Sequence, residues 1–121
     1  MQTTIALCLL LVSSLAFAHE GHHASSAKAV RLTGEVVDIT CFVDHGGAGE
    51  KHAACAQKCL AAGNPVGLLV GDTLYLVVMS SHEPPSARLA AHAGKRVQVT
   101  GRATTKNGLH VLDLETVEDR P

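Results

Sequence analysis

The sequence predicts a mainly β domain: a five-stranded barrel with a Cys-bearing helix inserted between strands 1 and 2 and a short helix between strands 3 and 4. Three observations lead there. Short stretches rich in β-branched residues recur from residue 30 to the C-terminus, two pairs of them joined by tight turn signals, Gly71-Asp72 and Lys106-Asn107-Gly108. Alternation of period two is clean in KRVQVTGRA, where Val97 and Val99 share a face. Only EKHAACAQKCLAA and the segment after Pro84-Pro85 carry helical character.

The elements follow in order. Residues 30–43, VRLTGEVVDITCFV, form the first strand, with Gly34 as a bulge or bend and Cys41 near the strand end. Residues 44–49 form a glycine-rich loop, and residues 50–62 a helix stopped by Gly63-Asn64-Pro65. Strands at 66–70 and 73–79 make a hairpin. A short helix ends at Gly94, and strands at 95–103 and 109–117 complete the set. With the first helix set aside, this is the order of an OB-fold barrel; a small β-sandwich is the runner-up.

The stretch GKRVQVTGRATTKNGLHVLDLETVE resembles the last hairpin of small secreted bacterial OB-fold proteins, in which V-x-V-x-G leads through a turn into the final strand. The resemblance covers the strands alone and implies a barrel. It says nothing about the Cys/His segment, and fold does not give function.

The ends bear on compartment. Residues 5–12, IALCLLLV, are an apolar run followed by small residues and Ala16-Phe17-Ala18, the pattern of a signal peptide over residues 1–18. The run is too short to span a bilayer, which takes about 20 apolar residues, and no later run is longer. Cleavage after Ala18 predicts a periplasmic or secreted chain without a membrane span. It would carry a His-rich tail over 19–29 and one domain over 30–121. Net charge is -1, and Phe42 and Tyr75 are the aromatics left after cleavage. There is thus neither a basic face nor a stacking platform for nucleic acid.

Cleavage removes Cys8 and leaves Cys41, Cys55 and Cys59. An odd number in an oxidising compartment points to a ligand, a reactive thiol or an intermolecular bridge. On a helix His52, Cys55 and Cys59 stand at i, i+3 and i+7, within about 60° of one another. The glycine loop lets that helix fold back so that Cys41 and His45 meet it. Three thiolates and an imidazole suit Zn(II), and the same soft donors suit Cu(I). Since seven residues of helix span about 10.5 Å, the expected core is Cys41, Cys55 and Cys59, completed by His52 or His45. The Cys55-x3-Cys59 pair with a nearby histidine is similar, in ligand chemistry only, to the copper site of periplasmic copper-delivery proteins of the thioredoxin-like class.

Other readings stay open. A disulfide from Cys41 to Cys55 or Cys59 would close a loop of about fifteen residues and contribute roughly 3 kcal/mol. The domain would then be a stapled binding module for a protein or small ligand. Thiol oxidoreductase chemistry is disfavoured by the three-residue spacer and by Cys55 lying inside the helix. Haem c would need a histidine where Leu60 stands. In the tail, His19 would become the N-terminal residue, whose amine and imidazole chelate Cu(II), with His22 and His23 in reach. Cleavage one residue later would place His22 third from the amine, another Cu(II) arrangement. Ser80-Ser81-His82-Glu83 reads as a polar loop rather than a catalytic set. The expectation is a non-enzymatic metal-binding protein for copper or zinc, with a periplasmic protein as a possible partner.

Overall fold

The computed structural model describes residues 27–121. The expected signal peptide and the tail histidines His19, His22 and His23 therefore lie outside the described residues.

Five strands close into a barrel in the order β1-β2-β3-β5-β4. They are β1 (Lys28–Asp38), β2 (Val66–Val70), β3 (Thr73–Val78), β4 (Arg96–Lys106) and β5 (Leu109–Asp119). All neighbours are antiparallel except β3 and β5, which run parallel from Leu76↔Val111 to Val78↔Asp113. The turn signals act as expected. Asn107 adopts a left-handed φ of 52° and Gly108 one of 82°, the two positive φ values that a type I′ hairpin requires.

The first strand departs from expectation. It begins at Lys28 and stops at Asp38, and residues 39–45 turn into a helix, α1 (Ile39–His45). Cys41 therefore lies on a helix and not at a strand end. Ile39, Thr40 and Val43 favour extended backbone, but the Asp38 side chain accepts the Cys41 N–H at 2.7 Å and caps a helical turn. Gly46, at φ 70°, ends α1, and its N–H returns to the Phe42 carbonyl at 2.9 Å. Two helices, not one, separate β1 from β2: α1 and α2 (Glu50–Ala61). Between β3 and β4 lie α3 (Pro85–Leu89) and a 3-10 turn, Ala90–His92.

Gly34 is not a bulge. The β1–β4 register runs unshifted through Gly34↔Val97, and the irregularity falls at Thr100/Gly101 in the β4–β5 ladder. Gly34 answers a close approach instead: a Cβ there would lie 2.5 Å from the Leu69 carbonyl oxygen. At this point β1 leaves its pairing with β4 and takes up β2, with Glu35 opposite both Arg96 and Leu69.

Val36, Leu68, Val77, Val97, Val99, Leu112 and Leu114 fill the barrel, and Leu60 and Ala56 of α2 join them, as does Leu89 of α3. The apolar stripe of α2 is Ala53, Ala56 and Leu60, spaced i, i+3, i+7. Gly94 lets the helix approach closely, since a Cβ there would meet the Ala53 Cβ at 2.6 Å. The loop before α2 is tied to the barrel by the Gly49 N–H, which donates to the Glu35 carboxylate.

Candidate metal centre

On α2 the stripe His52, Cys55, Cys59 has the same spacing as the core stripe but starts one residue earlier. One residue is about 100° of rotation. With Ala53, Ala56 and Leu60 held against the barrel, the stripe is turned to the helix flank. There it meets α1, where Cys41 and His45 sit at i and i+4 on one face. The turn at 46–49 is short enough to bring the two helices together. Its Gly47 N–H donates to the Cys41 carbonyl at 3.1 Å, closing the turn on the site itself.

The donors gather as the sequence suggests, with a division it does not show. Cys41, Cys55 and Cys59 place their ligand atoms within 4.8 Å of one another, and so do Cys41, His45 and His52. Cys41 belongs to both triads. Both histidines gather on Cys41 in a set of their own, and the His45 and His52 rings meet edge to face at 5.2 Å. His52 and Cys59, seven residues apart, fall in different triads. All three cysteines are free thiols; Cys55 is exposed, and Cys41 and Cys59 are half-buried.

Two contributors escaped the sequence reading. Asp38 is fully buried at the root of the site. One carboxylate oxygen holds the Cys41 N–H, and the other has no hydrogen-bond partner. The carboxylate pushes the Cys41 thiol up to about 12, first by accepting its hydrogen bond, then with help from burial and charge repulsion. Burial, followed by the neighbouring Cys55, also raises Cys59. The available signal was an N-cap residue just before a helical turn, hidden by the β-branched Ile39 and Thr40.

The second is Gly47. A Cβ on it would lie 2.7 Å from His52 Nε2 and 3.0 Å from the Cys41 Cβ. The chain here needs no side chain because imidazole and cysteine occupy the space. His52 Nε2 is itself buried with no hydrogen-bond partner. A buried ring nitrogen without a partner, beside a cysteine, is one that could hold a metal ion. His45 Nδ1, by contrast, lies 3.1 Å from the Asp44 carboxylate and is exposed.

The scattered histidines stand away from this cluster. His92 Nδ1 is 2.5 Å from Asp119 Oδ1, and His110 Nδ1 is 2.9 Å from Thr105 Oγ1. In the 80–83 segment the Ser80 hydroxyl donates to Asp113 at 2.8 Å, and His82 is exposed at φ 63°.

No protein-family model matches the chain, and neither a curated protein nor a solved structure is significantly similar to it. The reading of the site rests on its chemistry.

Proposed function

We propose that this chain is an exported, non-enzymatic metal-binding protein. It has an OB-like barrel and takes copper or zinc through its Cys/His cassette for metal binding, delivery or sensing. The observation that carries this reading is the convergence of three sulfur ligand atoms within 4.8 Å of one another, with none of them bridged. Thiolates at such separations suit a soft or borderline ion, whose bonds to sulfur are about 2.3 Å long. The strand order supports the OB-like assignment. The apolar N-terminal run and Ala16-Phe17-Ala18 support export. Among the described residues no helix is long and apolar enough to cross a membrane.

The test is metal content after anaerobic purification, with a parallel thiol count. Three titratable thiols in the metal-free protein, protected on adding Cu(I) or Zn(II), are expected. One free thiol and no metal would overturn the reading in favour of a stapled binding module for a protein or small ligand.

A further inference from the structure

The metal-binding reading treats the cassette as a site for one ion, and its geometry goes further. Two donors on one ion can be no farther apart than the sum of their bond lengths, about 4.6 Å for two thiolates and less for imidazoles. The five donors close to that limit only within two triads, and the triads are joined through Cys41. Each triad is complete in itself. One is Cys41 with the two cysteines of α2; the other is Cys41 with His45 from its own helix and His52 from α2. The buried, unpartnered His52 Nε2 points independently to a ligand on the histidine side. Gly47 leaves the space between that nitrogen and the Cys41 side chain free of any side chain of its own.

We propose that the cassette holds two copper(I) ions sharing the Cys41 thiolate, one bound by Cys41, Cys55 and Cys59 and the other by Cys41, His45 and His52. A thiolate sulfur keeps enough lone pairs to bind two ions at once. Three donors on each side suit copper(I), a soft ion content with low coordination, better than zinc, whose protein sites are almost always four-coordinate. On loading, three S–H bonds break and give three protons to solvent. Three Cu–S bonds form at the first ion, one Cu–S and two Cu–N bonds form at the second, and the ligands that the copper(I) ions carried in are released. Copper enters and stays as copper(I), so no electron moves.

This inference rests on the metal-binding reading, and one experiment separates the two. The full chain, with His19, His22 and His23 replaced by alanine so that the tail takes no copper, is titrated anaerobically with copper(I) and counted by native mass spectrometry. Two ions per chain are expected. Cys59→Ala and His52→Ala should each retain one. Where His52→Ala fails to fold, His45→Ala, at an exposed position, reads the same triad. X-ray absorption of the loaded protein should show copper–copper scattering inside about 4.6 Å, the limit set by a shared sulfur. Saturation at one ion, lost equally in the cysteine and histidine variants, would overturn the shared-thiolate centre and leave metal binding standing. So would two ions with no copper–copper scattering. No bound copper at all would overturn both.

Discussion

Asp38 and Cys41 are coupled twice: the carboxylate caps the helix through the Cys41 N–H at 2.7 Å, and it also faces the Cys41 thiol. One residue thus starts α1 and sets the proton affinity of the cysteine that both triads share.

Replacing Asp38 with asparagine keeps a good N-cap and removes the negative charge. The Cys41 pKa should then fall from about 12 toward its ordinary value, because a neutral amide oxygen accepts the thiol's hydrogen bond more weakly and the charge that repels the thiolate is gone. Alkylation of metal-free protein over a pH series, followed by peptide mass spectrometry, measures this. In the parent, exposed Cys55 should react first and Cys41 last, since the thiolate is the nucleophile. An unchanged Cys41 profile in Asp38→Asn would remove the carboxylate as the cause.

Gly47→Ala isolates the space between His52 and Cys41. The new Cβ would press on His52 Nε2 at 2.7 Å and must move the ring. Metal affinity should fall about 10–100-fold, the range for groups that orient a ligand. Competition with a chelator of known affinity gives the number. Binding as tight as the parent's would show that His52 is not held where a ligand must be.

Leu60→Ala tests whether the core stripe of α2 positions the cysteine stripe. Leu60 is fully buried, so truncation should cost about 2–5 kcal/mol in urea unfolding. Under conditions where the variant remains folded, metal affinity should also drop, because α2 loses the anchor that fixes its rotation.

The His92–Asp119 pair gives a pH dependence away from the site. The hydrogen bond with His92 holds Asp119 below its usual 3.8, against a smaller opposing effect of burial and with help from Lys95 at 3.8 Å. A depressed carboxyl pKa means stability that is fully present above the unfolded value and lost as pH falls through the folded one. His92→Ala should raise the Asp119 carboxyl pKa in an NMR titration and move the acid-unfolding midpoint upward in pH.

Much of the barrel was legible because its signals are local. Val97 and Val99 alternate along β4, and Asn107-Gly108 and Gly71-Asp72 mark turns whose backbone needs few residue types. The helix of the cassette was legible to within one residue of its end. Residues 39–45 were not. Their β-branched content is a weak preference, and one cap at Asp38 with one left-handed glycine at Gly46 outweighs it once α1 packs against β1.

By itself the sequence determined which donors the segment from Cys41 to Cys59 offers: three thiols and two imidazoles, spaced so that His52, Cys55 and Cys59 share one helical stripe. That follows from the fixed period of the helix. Only the tertiary structure decided how they are grouped. Anchoring Ala56 and Leu60 in the barrel fixes the rotation of α2, and the tight turn through Gly46 and Gly47 places α1 beside it. Cys41 then lies between the cysteines and the histidines, as the member common to both triads. No spacing along the chain encodes that position, because it depends on which face of α2 the core takes.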